Sequence, residues 1–344
     1  MSTAIRSGPP KLTSFAAVSR AMNTTSTGSN GGFILSVELA RQIWDKAREV
    51  DGPLSRCLFL TTTKNEFNLP AFDESSRATG SRWGGIRAHW EGSDYANLTP
   101  YLSDPATAIV PFNPERCIVY SQMSNDLLDD AELAESALSY AAHYDIRFSL
   151  VDAMINGLGI KRPLGVIKAP ATVTVTRAGS ADIAVADVNS MWSKLYGPCR
   201  RNAIWLTNDD TLLKLDATAT TAGWLSNIYL PQGMYGNPYP LLKGRPVIAC
   251  EQCPVLGAPG DLILGDWSQY GLCARSVDGA PDIGMSYLPL ASVIEARSSD
   301  EKFFDTDQTA FLWKLRVDGK PMWRKQMTIA DGSQTCGPFC ILSA

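Results

Sequence analysis

The sequence predicts an α+β protein in which one compact unit is inserted into another. Three observations carry this expectation. A long helical stripe runs from Asp129 to Gly157, strand-like and helix-like segments alternate after Pro170, and two further strand-like runs, Phe311–Val317 and Met322–Ile329, return after that alternation. At 344 residues and 45% hydrophobic, the chain can bury a sizeable core and is long enough for two units. Nine Trp and eleven Phe argue against disorder for its bulk.

Residues 1–32 are rich in Ser, Thr, Gly and Asn with little periodicity, so they read as an extended arm. From Ser36 to Val50, apolar Val37, Leu39, Ile43, Trp44 and Ala47 fall at helical spacing among charged residues, with Ser36 as the expected N-cap. Residues 58–110 change character. The strand-like run LFLTTTKNEFNLPAF leads into SSRATGSRWGGIRAHWEGSD, which holds four glycines, and then to Pro100, Pro105 and Pro111. So long a segment with so few core-type positions predicts an extended loop. Its tip tryptophans, Trp83 and Trp90, predict one that finishes its burial on another subunit.

In the stripe from Asp129 to Gly157, Leu133, Ala137, Ala141, Tyr144, Phe148, Val151 and Ile155 fall three or four apart, which predicts a buried face with Phe148 central. Asp129, Asp130, Glu132 and Glu135 crowd its start, where the helix dipole favours carboxylates. Such a helix is ~43 Å long at 1.5 Å per residue. Gly157 and Gly159 supply its stop through left-handed geometry. After Pro170 the expected order is a strand at 172–176, a helix around Ala186–Tyr196, and strands at Ala203–Thr207, Pro246–Cys250 and Leu262–Gly265.

The net charge of −4 and pI near 5.3 leave no general basic field for wrapping nucleic acid. Residues 1–37 nevertheless carry Arg6, Lys11 and Arg20 with no carboxylate, making the arm mildly basic. No apolar run approaches the ~20 residues that span a bilayer, and the start lacks the apolar stretch of a secretory signal. A cytosolic protein with reduced cysteines is the expectation.

Enzyme chemistry finds little support. There are two histidines, His89 and His143, and neither a G-x-S-x-G elbow nor a phosphate-binding loop. The glycines at 157, 159 and 165 follow a helix and lack dinucleotide-loop spacing. Cys250-x-x-Cys253 and Cys336-x-x-x-Cys340 are the one constellation with chemical potential. Four such thiolates suit tetrahedral zinc, the C-x-x-C pair suits a redox role and disulfide pairing is a further alternative, but unligated buried thiols are the leading expectation because Cys250 continues an apolar strand and Cys336 sits in a terminal tail.

Four stretches in order carry a resemblance: Gly31-Gly32-Phe33; GLGIKRPLGVI at 157–167; GRPVIACEQCP at 244–254 with LGDWSQYG at 264–271; and the run from Phe304 to Pro321. Together they resemble the tailed-phage major capsid proteins across most of 31–330. The resemblance implies the Hong Kong 97-type capsid fold. It places an N-terminal arm and short helix at 1–57, an extended loop at 58–110, a peripheral domain with a long spine helix at 111–171 and 286–320, and an axial domain at 172–285 and 321–344. It implies a non-enzymatic subunit without cofactor or metal. Such a subunit assembles with itself as hexamers and pentamers around double-stranded DNA, with portal, scaffolding and possible cement proteins as partners and no membrane. An encapsulin or gene transfer agent shell is the alternative within the fold, and a cytosolic zinc or thiol enzyme the alternative outside it.

Some members of that family lock their shells through a lysine near the loop tip. Here no lysine lies between Lys64 and Lys161, and Arg77, Arg82 and Arg87 stay protonated, so that cross-link is not expected. Thirty residues precede Gly31, too few for a fused scaffolding segment, so the expectation is either a separate scaffold or an already mature chain, with Met1 favouring the first. Expected inter-subunit contacts are Arg6, Lys11 and Arg20 in the arm and Trp83, Arg87 and Trp90 in the loop. For the arm, the acidic start of a neighbour's long helix is favoured over packaged DNA, because three spread cations hold phosphates weakly at physiological salt.

Overall fold

The computed structural model describes residues 52–72, 74–78, 81–86, 106–124, 134–179, 182–221, 228–232, 238–275 and 308–343. The helix expected at Ser36–Val50 and the acidic turn Asp129–Glu132 lie outside them. In chain order the elements begin with β1 (Leu58–Thr62), β2 (Phe67–Phe72), β3 (Thr107–Phe112), β4 (Glu115–Ser124) and α1 (Ala134–Asn156). There follow β5 (Thr172–Thr176), α2 (Val185–Lys194), β6 (Ile204–Thr207), α3 (Asp209–Thr221), β7 (Tyr229–Leu230), β8 (Leu241–Leu242), β9 (Arg245–Ala249) and β10 (Leu262–Gly265). The last are β11 (Tyr270–Arg275), β12 (Gln308–Pro321), β13 (Met327–Thr328), β14 (Thr335–Cys336) and β15 (Phe339–Ser343). The fold is mixed α/β. Among the described residues no helix is long and apolar enough to cross a membrane.

The chain divides into two compact units, one holding 1–49, 118–147 and 287–314 and the other holding 50–117, 148–286 and 315–344. In the described part of the first, Ala142 and Ile146 are the buried positions of α1.

The second unit is built on a seven-stranded sheet in the order β5-β15-β10-β6-β9-β8-β7. Its register puts Val173, Cys340, Leu264, Trp205 and Val247 in one cross-strand row and Thr174, Ile341, Ile263, Leu206 and Ile248 in the next. Side chains alternate between the faces of a sheet, so these rows face opposite ways. The first packs with Val188 and Met191 of α2 and Leu215 of α3. The second packs, Thr174 apart, with Leu150, Val151, Met154 and Ile155 of α1, and with Trp267, Tyr270 and Leu272. Burial on both faces explains why β6, β10 and β15 read as near-continuous apolar runs.

Three expectations are corrected here. The segment after Ile329 is no tail: β13 pairs with β14 in a short hairpin, and β15 runs between β5 and β10 inside the sheet. The run expected as a strand over Met322–Ile329 keeps only Met327–Thr328 in strand form. And Phe148 is not the centre of the buried stripe, being 47% exposed: Val151 and Ile155 of the expected stripe are buried, but they are joined in the core by Leu150 and Met154 rather than by Phe148.

The stop of α1 works differently at its two glycines. Gly159 is left-handed, with φ 72°. Gly157 is needed for close approach, as a Cβ there would lie 2.1 Å from the Pro163 carbonyl oxygen, while Gly165 donates to the Gly157 carbonyl at 2.9 Å. At α2, buried Asp187 caps the first turn by accepting from the Ala184 and Ala178 amides at 3.0 and 2.9 Å.

Gly265 lets the Phe339 ring lie on its backbone, where an added Cβ would come within 2.2 Å of Phe339 Cδ1. Replacing Gly265 by Ala is expected to cost about 1–3 kcal/mol of subunit stability by overpacking. Gly197→Ala, whose Cβ meets nothing within 4 Å, serves as the neutral control. Urea unfolding of the unassembled subunit checks both, and a wild-type midpoint for Gly265→Ala would contradict the packing.

Candidate subunit interface

β2 and β3 form a two-stranded hairpin with Phe67 opposite Phe112, Leu69 opposite Val110 and Ala71 opposite Ala108. Its inner face, Phe67, Leu69, Ala71, Val110 and Phe112, packs on Leu60 of β1 and Cys273 of β11. β1 and β11 are parallel neighbours in a second sheet ordered β1-β11-β12-β4. The base is fixed further by Asn113, whose amide donates to Asp318 Oδ2 at 2.8 Å. Lys320 lies 3.3 Å from that same carboxylate oxygen and 5.2 Å above the Phe112 ring, and its ammonium donates to the Pro111 carbonyl.

The outer face is bare. Asn68, Pro70 and Phe72 alternate with the buried side on β2, as do Thr107, Ile109 and Pro111 on β3, and all six are exposed, Ile109 at 57%. An isolated two-stranded ribbon is marginal in water, and one with a second apolar face left open lacks half its cover.

Its edges are closed to strand addition. Pro70 stands opposite Ile109 and Pro111 opposite Asn68. A proline has no N–H, so both pairs occupy the non-bonded rungs and turn the proline nitrogens outward, leaving each outer edge short of a donor. The face is therefore less hindered than the edges.

Beyond β2 the chain is stitched down before it turns. The Arg77 amide donates to the Thr328 carbonyl at 2.9 Å, and the Thr328 amide to Ser75 at 3.0 Å. The Arg77 side chain bonds Glu74 at 3.0 Å and stacks 5.1 Å over the Tyr196 ring. Trp83 follows in a left-handed conformation, φ 50° and ψ 42°, ahead of left-handed Gly84 and Gly85. For a bulky residue this backbone is an outlier, and it holds the indole 55% exposed. The Gly84 carbonyl accepts from the Ala106 amide at 2.7 Å, so the two arms of the loop meet just beneath Trp83. Of the six residues expected to touch neighbours, Trp83 is among the described residues; Arg6, Lys11, Arg20, Arg87 and Trp90 lie outside them. The bare face of Phe72 and Ile109 was missed by sequence reasoning, although alternation in FNLPAF and TAIVPF was the available signal.

The paired cysteines do not form one cluster. Cys340 points into the face shared with Cys199, whereas Cys250 and Cys253 belong to the opposite face, so the sheet separates them. The eight cysteines form no disulfide, and all are buried except half-buried Cys117. Among the described residues no set of three or more His, Cys, Asp or Glu side chains is placed to hold a metal. Burial pushes the Cys340 thiol up to about 12, and burial with the nearby Asp266 carboxylate does the same at Cys199. Thiols so raised are poor nucleophiles.

The sequence profile of the phage capsid family matches residues 31–326. The chain belongs to the phage capsid family. It is accordingly a structural protein rather than an enzyme. Solved structures of the same fold include the capsid of a native GTA particle, at 16% identity and TM-score 0.56, covering 93% of this chain and 95% of that one. A chain of Mycobacterium phage Cain aligns at 13% identity and TM-score 0.55 over 85% of this chain and 89% of its own. The holo-SrpI encapsulin complex from Synechococcus elongatus PCC 7942 aligns at 10% identity and TM-score 0.54 over 90% and 96%. Identities this low speak for a shared Hong Kong 97-like fold. No curated protein matches the chain in sequence.

The raised thiols fix a sign for alkaline stability. Cys199 and Cys340 keep their protons in the folded subunit to about 12 but ionise near the ordinary 9.0 once unfolded. The folded state then binds more protons, so stability is fully present below 9.0 and falls as pH rises through that window. Urea midpoints on either side of the window check this, and a midpoint that rises with pH would contradict it.

Proposed function

We propose that this protein is the major capsid protein of a tailed double-stranded DNA phage, assembling as hexamers and pentamers into an icosahedral head. The observation that carries the reading is the β2–β3 hairpin, whose inner face is anchored on its own chain while Phe72, Ile109 and the Trp83 turn stay open. A hairpin of this kind suits a shell in which each subunit covers its neighbour, and its length argues for a virus head over an encapsulin compartment. In this reading 58–110 is the extended loop, 111–171 with 286–320 the peripheral domain carrying α1 as spine, and 172–285 with 321–344 the axial domain. That every strand of the seven-stranded sheet comes from 172–343 supports the axial assignment. Arg6, Lys11 and Arg20 dock the arm on neighbours, and Arg87 and Trp90 extend the contact begun by Trp83. A separate scaffold, a portal and possible cement proteins complete the particle, which forms in the host cytoplasm.

Electron microscopy of the protein expressed with a candidate scaffold tests the class, and nucleic-acid content of particles from infected cells tests the cargo. Uniform shells filled with double-stranded DNA are expected. Soluble subunits that never assemble, or shells filled with a protein cargo, would overturn the phage reading.

Replacing Phe72 and Ile109 together by Ser is expected to leave the subunit folded, because both are exposed, yet to lower shell resistance to denaturant by several-fold through loss of an apolar interface. Shells as resistant as wild type would refute the role of that face. The lysine gap between Lys64 and Lys161 adds a second expectation: particles boiled in detergent with reductant run as one band near the chain mass of 37.3 kDa. A persistent ladder of larger bands would show a covalent lattice.

A further inference from the structure

The loop after α1 is rigid, exposed and apolar at once. Gly157 and Gly165 bring its two arms into backbone contact, the Gly159 amide donates to Pro163 at 3.3 Å, Leu158 bridges to Leu164, and the Leu164 amide is fixed to the Gly319 carbonyl at 2.7 Å. On this clamped base Leu158 and Ile160 project into solvent, Ile160 at 73% exposure. Lys161 is held left-handed at φ 56°, beside exposed Arg162. A floppy loop would lower its own exposure by collapsing, but this one is held open. A preorganised apolar tip with two cations forfeits little entropy on binding.

The matching surface lies on the same chain. Exposed Asp209 and Asp210 open α3, and Leu213 follows one turn on at 68% exposure. One turn of backbone links the two regions: the Asn156 side chain, at the foot of the tip, donates to the Gln252 carbonyl at 2.9 Å, and the Asn208 side chain, before α3, donates to the next carbonyl, Cys253, at 3.1 Å. Two cations with apolar residues beside two carboxylates with an apolar residue make the surface self-complementary, which is the requirement for pairing with an identical chain.

We infer that the Leu158–Arg162 tip docks on the Asp209, Asp210 and Leu213 face of a second copy of this chain. The contact rests on the shell reading and adds to it a site apart from the β2–β3 hairpin. A charge-swap series tests it. Lys161→Asp with Arg162→Glu reverses the tip, using a short carboxylate that the left-handed backbone tolerates. Asp209→Lys with Asp210→Lys reverses the face. Each pair alone is expected to lower assembled-shell yield about tenfold, and all four together to recover most of it. Subunit melting, unchanged by the tip variant, separates a lost contact from a lost fold. Carbodiimide coupling in shells mixed from isotopically heavy and light subunits is expected to join Lys161 of one copy to Asp209 or Asp210 of another. A tip variant that assembles like wild type, a four-fold variant no better than the weaker pair, or the absence of mixed heavy–light coupled peptides would each overturn the contact while leaving the shell reading intact. A wild-type chain that forms no shells defeats both.

Discussion

A sheet with apolar side chains on both faces must be covered twice. Here α2 and α3 cover one face, and the second half of α1 with Trp267, Tyr270 and Leu272 covers the other. β15, more than 160 residues after β5, sits between β5 and β10, so neither layer is complete until that distant strand is in place. That late closure is reinforced at the strand's end, where the Arg177 amide donates to the Ser343 carbonyl at 3.1 Å and the Arg177 guanidinium pairs with buried Asp261. Pairing of residues this distant in sequence is slow to form and cooperative once formed.

The same packing governs the hairpin. Phe112 rests against β11 beside Cys273, and β11 in turn contributes Leu272 to the core beneath the sheet. The hairpin is therefore held by the body of the subunit and not by its own ladder. What the body cannot supply is a second cover, and the two edge prolines keep that requirement from being met by indiscriminate strand pairing. An open face with blocked edges favours a partner of matched shape over aggregation.

Regular elements were legible wherever one physical rule acted alone. The strands at 172–176 and 262–265 stand where a β-branched Thr-Val alternation and a short apolar run place them, and α2 follows its 3.6-residue spacing closely. Legibility failed where rules competed. Among its described side chains α3 exposes Asp209, Asp210, Leu213 and Lys214 and buries one apolar residue, Leu215, beside one polar residue, Thr211, so its periodicity is faint. β15 reads as a short apolar end after Gly337 and Pro338, and its interior place depends on distant strands. In α1 two apolar stripes overlap, and only the core decided between them, in favour of Met154 and Leu150 over Phe148. At the interface, Trp83 was visible as an exposed aromatic between glycines. The bare face was hidden because Phe72 and Ile109 look like core residues until their partners are seen to be absent from the chain's own packing.

The central claim is that the hairpin completes its burial on another copy of the chain. Hydroxyl-radical footprinting, read residue by residue in dissociated subunits and in assembled particles, addresses it directly. Phe72, Ile109 and Trp83 should be oxidised readily in the free subunit and be protected in the particle, with Trp205 and Trp267 protected in both. Equal oxidation of Phe72, Ile109 and Trp83 in the two states would contradict the account.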